Sequence, residues 1–171
     1  ISAADVSISP FIPHLPECCP KGMIDFSTTT AFRLVRRLAA AGQATPSLYM
    51  LVCESAIMDA IRADIVAEIE VQLGLNLRLL AASKMRPERL EEAFTPDTVL
   101  PIILITLDRW LPKLVDSFDR NIVLLTSAGV VLLVASPVIA ERVLAAAPNL
   151  RNRLTDVVLI KPDEAFGDPR A

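Results

Sequence analysis

Asp108 closes the apolar run Ile102-Ile103-Leu104-Ile105-Thr106-Leu107, and Pro112 follows it four residues later. Three further apolar runs also end on polar groups: Leu48–Cys53 on Glu54, Val130–Ala135 on Ser136, and Val157–Ile160 on Lys161. A strand that is apolar throughout is one buried on both faces of a parallel sheet. Sites in such sheets lie at the carboxyl ends of the strands. With all four strands parallel, Glu54, Asp108, Ser136 and Lys161 gather on one rim. An acid pair, a hydroxyl and a lysine around one crevice fit metal-assisted chemistry on a phosphoryl group.

The elements that must position these groups alternate along the chain from Ser47 onward. Ala56–Leu73 is the clearest helix, with Ile57, Ile61, Ile65 and Ile69 on one face and Gly74 to end it. Leu75–Ala81 reads as a second strand. Arg86–Phe94 reads as a short helix opened by Pro87, and Ile102–Leu107 as the third strand. A helix from Pro112 has an ambiguous end, because Ile122–Leu125 serves equally as a strand. Val130–Ala135, helix Val138–Ala147 and Val157–Ile160 complete the series. Five strands separated by helices predict a three-layer α/β/α sandwich with right-handed crossovers.

Upstream, residues 1 to 26 carry Pro10, Pro13, Pro16 and Pro20 without a sustained period and read as an irregular arm. Ser27–Thr30 offers an N-cap for a helix over Thr28–Ala41, closed by Gly42. The expected division is residues 1–45, an arm and one helix packing on the core, and residues 46–171, the α/β domain.

Bulk properties narrow the function. The 171 residues are 53% hydrophobic but only 5% aromatic, which gives an aliphatic core suited to buried parallel strands. Net charge is −3 and the isoelectric point about 5.2, so no electrostatic footprint for nucleic acid or anionic membrane is expected. Ile122–Ala140 carries no charge, yet Gly129 and Pro137 divide it into a helical end and a strand, which argues against a membrane span. Cys18, Cys19 and Cys53 show no zinc spacing and His14 is the only histidine, so reduced thiols and a cytoplasmic location are expected.

Four of these segments resemble response-regulator receiver domains. Leu51-Val52-Cys53-Glu54-Ser55-Ala56-Ile57-Met58 is similar to the receiver's first strand and acidic turn. Asp108-Arg109-Trp110-Leu111-Pro112 resembles its phospho-acceptor turn, Ser136 falls at the end of its fourth strand, and Lys161-Pro162 resembles its Lys-Pro. The resemblance covers about Ser47 to Asp163. It implies a flavodoxin-like, five-stranded parallel sheet of order 2-1-3-4-5. It also implies Asp108 as the phosphorylated nucleophile, Glu54 and Asp108 as Mg²⁺ ligands, Ser136 as hydrogen-bond donor to the phosphoryl group, and Lys161 as its counter-charge. The implied partner is a histidine kinase or an adjoining output domain, with a homodimer through the fourth helix and fifth strand. Cys53 replaces the first acid of the pair, and Val158 an aromatic expected three residues before the lysine, which points to a degenerate pseudo-receiver regulating by protein contact. The helix Thr28–Ala41 would then cover the part of the sheet where the usual last helix packs.

Two other readings start from the same residues. Ile105-Thr106-Leu107-Asp108 also resembles the Mg²⁺-binding strand of an AAA-type P-loop NTPase, and Pro137–Leu154, with Arg151-Asn152-Arg153, its sensor-to-arginine-finger stretch. The phosphate loop should read GxxxxGK[ST], but Cys53–Ala60 reads CESAIMDA. Without that glycine and lysine, backbone amides do not cradle a triphosphate, so this reading is of a degenerate relative; it requires the strand order 5-1-4-3-2. The Ser27–Thr30 cap followed by Arg33, Arg36 and Arg37 resembles a DNA-recognition helix, but no helix precedes it to complete the motif. A purely structural interaction domain of a larger assembly is the reading in which the rim binds nothing.

Overall fold

The computed structural model describes residues 30–41, 46–74, 77–94 and 102–160. Its helices are α1 (Thr30–Ala41), α2 (Met58–Leu73), α3 (Leu90–Phe94), α4 (Pro112–Arg120), α5 (Ile122–Ser127), α6 (Pro137–Ala146) and α7 (Pro148–Arg153). Its strands are β1 (Ser47–Cys53), β2 (Leu77–Ala81), β3 (Ile102–Leu107), β4 (Val130–Ala135) and β5 (Asp156–Ile160). All pairings are parallel, and the sheet order is β2-β3-β4-β1-β5.

The α/β sandwich is as expected, but the order 2-1-3-4-5 is not. β1 lies between β4 and β5 instead of beside β2 and β3. The connection from β1 through α2 therefore crosses two strands to reach the far edge.

Strand alternation divides the core into two layers. Leu48, Met50 and Val52 of β1 face one side with Ile103, Ile105, Leu107, Val131, Leu133 and Ala135, under α3 to α7. Tyr49, Leu51 and Cys53 face the other side with Ile102, Leu104, Val130, Leu132 and Val134, under α1 and α2. Ile61, Ile65 and Ile69 of α2 are buried there with Ile57 just before it, joined by Leu34, Val35 and Leu38 of α1. Gly74 ends α2 at φ 63°, a left-handed conformation in which glycine carries no Cβ penalty. Arg37 of α1 pairs with Asp156 of β5 at 3.0 Å.

Several boundaries differ from the sequence reading. Residues 55–57 form a 3₁₀ turn before α2, and Pro87–Arg89 another before α3. Ile122–Leu125 is helical: Leu124 N–H bonds to the Asn121 carbonyl at 2.9 Å, and the Thr126 and Ser127 hydroxyls donate back to the carbonyls of Ile122 and Val123. Those hydroxyls can satisfy carbonyls one turn back only in a helix. A separate helix, α7, follows α6, because Pro148 starts a new first turn. Among the described residues no helix is long and apolar enough to cross a membrane. The proline-rich arm, the Ser27–Thr29 cap and Gly42 lie outside the described residues.

Candidate functional site

The carboxyl rim is built by three neighbouring strands. Leu107 of β3 and Val52 of β1 are both in register with Ala135 of β4. Asp108, Ser136 and Cys53 therefore leave the sheet at one height, with Glu54 one residue further. Asp108 and Ser136 occupy adjacent strand ends. Glu54 and Asp108 do not: β4 stands between them, so their exits are separated by two strand spacings, about 10 Å. They do not form the paired metal site that the receiver resemblance implies. Among the described residues no three His, Cys, Asp or Glu side chains come together to hold a metal ion. Lys161 and Pro162 lie outside the described residues.

Each rim group has a local setting. Ser136 is the N-cap of α6; its hydroxyl accepts from Ile139 N–H at 3.5 Å, and its carbonyl from Ala140 N–H at 2.8 Å. The Ser-Pro step is thus a helix start, with Pro137 at the first helical position. Asp108 is exposed and does not cap the helix that follows, since α4 begins after Leu111 without a side-chain cap. Glu54 is exposed. Cys53 is buried, and burial pushes its thiol above the ordinary range, which makes it a small core residue.

The turn from β1 into α2 decides what the rim can bind. Only Glu54, extended at φ −62° and ψ 144°, separates the strand from the 3₁₀ turn. Ile57 N–H is already bonded to the Glu54 carbonyl at 3.1 Å. Ile57 and Met58 are buried in the core, so the first turn of α2 is packed inward. A phosphate cradle needs a loop whose successive N–H groups point into a common space, and a single residue between strand and turn does not have that length.

Two contacts among the helices on this face were not singled out from sequence. Arg142 of α6 lies 6.0 Å from the centroid of the Trp110 ring, tying the loop after Asp108 to the helix after Ser136. Asp119 of α4 accepts from Leu150 N–H at 2.9 Å and from the Asn149 amide at 3.1 Å, so α7 is capped from another helix. Neither contact has a sequence signal, because each joins residues about thirty apart through the fold. A cleft of about 680 Å³ runs between α3 and α4, with Glu88, Glu91, Lys113 and Arg120 among its walls; it includes none of Glu54, Asp108 and Ser136.

Read from the other edge, the sheet order is 5-1-4-3-2, the order that the P-loop reading requires. Among solved structures, that of the ORC1 protein of Aeropyrum pernix in complex with DNA is similar, with a TM-score of 0.51 and 16% identity over 86% of this chain. At that identity the likeness is one of fold. The chain spans 48%, about half, of that structure's chain. No protein-family model and no curated protein matches the sequence.

Proposed function

We propose that the chain is a degenerate AAA/P-loop NTPase-like domain, one that keeps the sheet and its rim but has no working phosphate loop and acts by binding a partner. The observation that carries the reading is the position of β1 between β4 and β5, combined with a glycine-free, lysine-free turn after β1. In this reading Asp108 ends the strand that would serve Mg²⁺, and Ser136 ends the neighbouring strand. Arg151 and Arg153, exposed on α7, are available to a phosphate on an adjoining molecule. DNA, named with the ORC1 structure, is not carried over to a chain whose net charge is −3.

The test is titration calorimetry with ATP and Mg²⁺ beside intact-mass spectrometry after incubation with acetyl phosphate and Mg²⁺. Neither saturable heat nor a phosphoryl adduct is expected. Micromolar, Mg²⁺-dependent ATP binding would show a phosphate site and overturn the reading. An adduct lost in Asp108→Asn would replace it with a phosphorylated receiver, the competing proposal for this rim.

A further inference from the structure

Among the described residues the sheet has two edge strands, β2 and β5. Among the described residues β2 pairs only with β3, so its outer N–H and C=O groups have no strand beside them. Its side chains alternate. Register with Ile103 and Ile105 turns Arg78 and Leu80 towards the α3 face, while register with Ile102 and Leu104 turns Leu77 and Leu79 towards the α2 face. Leu79 is a large apolar residue that is 51% exposed.

Just beyond the strand, on the α3 face, lies a cleft of about 260 Å³. Its floor is Leu80, Met85, Leu90 and Ala93, and its charged walls are Lys84, Arg86, Arg89 and Glu92. Arg89 pairs with Glu92 at 3.1 Å. Among the described residues Arg78, Lys84 and Arg86 are in no ion pair. In a chain of net charge −3, this edge is locally cationic on one face and apolar on the other. A single charge on an edge strand is ordinary protection against sheet-to-sheet pairing, and Arg78 alone would be that. Two further unpaired cations around a cleft are more than such protection requires.

We propose that the β2 edge is a docking site for an extended peptide in which acidic and apolar residues alternate. Added as a sixth strand, such a peptide satisfies the free backbone groups of β2. Its alternate side chains then point to opposite faces. The acidic set lies beside Arg78, Lys84 and Arg86, and the apolar set beside Leu77 and Leu79, in the cross-strand pairing that sheets favour. The cleft floor has no aromatic ring, which disfavours single-stranded nucleic acid, whose bases are held chiefly by stacking. The site is independent of the rim and of the proposal made for it.

The experiment is fluorescence anisotropy with a labelled, terminally blocked Val-Glu hexapeptide titrated with the full chain. Saturable binding is expected, weakened roughly tenfold by the pair Lys84→Glu and Arg86→Glu, in line with the loss of close charge pairs at an interface. Binding should vanish for the peptide methylated on alternate backbone nitrogens. It should fall again for Leu79→Glu, with far-ultraviolet circular dichroism unchanged in each variant. Absence of saturable binding overturns the proposal. So does equal binding of the methylated peptide or of a Val-Lys hexapeptide, and so does an oligothymidylate that binds through Lys84 and Arg86 where the peptide does not.

Discussion

Asp64 is a carboxylate whose charged form the fold disfavours. It sits half-buried on α2, one turn before Glu68, and its pKa is raised first by burial and then by the Glu68 charge. The folded state therefore holds the Asp64 proton more tightly than the unfolded chain does, and the ionised form costs stability. That cost is absent below the ordinary aspartate range, grows as pH rises through the folded value, and is fully present at neutral pH. Asp64→Asn should raise the melting temperature at pH 7, and the gain over the parent should shrink as the pH falls through the folded value and close below the ordinary aspartate range. Calorimetry across that range checks it; a gain that stays constant with pH would assign the effect to packing. Ser136 carries the opposite lesson at the same scale. Its place at a strand end attracts a chemical reading, but the fold uses its hydroxyl at 3.5 Å as a helix cap, a role that Asp108, equally at a strand end, does not take.

At the scale of elements, burial patterns were open to reading because they depend on local periodicity alone. The isoleucine stripe of α2 repeats every four residues, and its members are buried. Ile65 is fully enclosed, so Ile65→Ala removes three carbons from a site that relaxes only partly. The expected cost is about 2–5 kcal/mol. Val71, on the same helix but 81% exposed, should lose no more than about 0.5 kcal/mol when cut to alanine. Urea unfolding of the two variants beside the parent measures both, and comparable losses would mean that α2 does not pack as described. β3 and β4 were legible to the residue for a similar reason: each is a six-residue run buried on both faces, apolar throughout in β4 and broken only by Thr106 in β3. Short helical pieces were harder. Ile122–Leu125 has the composition of a strand but is helical, with the Thr126 and Ser127 hydroxyls bonded one turn back and the turn closed at Asn121.

Strand order is a property of the whole molecule, and no local pattern in this chain encodes it. β1, β3 and β4 are each apolar on both faces, so any of them fits beside any other, and the alternation of strands and helices is the same in orders 2-1-3-4-5 and 2-3-4-1-5. The placement of the candidate site follows the order: moving β1 past β4 separates Glu54 from Asp108 and makes Ser136 the group between them. The order also sets how the molecule opens. β3, β4 and β1 have a strand on each side and helices on both faces, so freeing their amides requires the core itself to part. β2 has one neighbour and a half-exposed burial pattern, which permits local opening. β5 also has one neighbour, with Val157 and Leu159 exposed on the α6 face, although α1 covers its other face. Native-state hydrogen exchange should therefore rank the amides of Leu104, Leu132 and Leu51 slowest, at the rate of global unfolding, with those of β2 and β5 faster by roughly tenfold or more, the factor that 1.4 kcal/mol of local opening supplies. Denaturant should accelerate the central amides steeply and the edge amides weakly, because only global opening exposes large surface. If β2 exchanged as slowly as β4 in the free protein, its edge would already be covered and unavailable to any added strand; if saturating Val-Glu peptide slowed β2 selectively, the protected amides would be those facing away from β3.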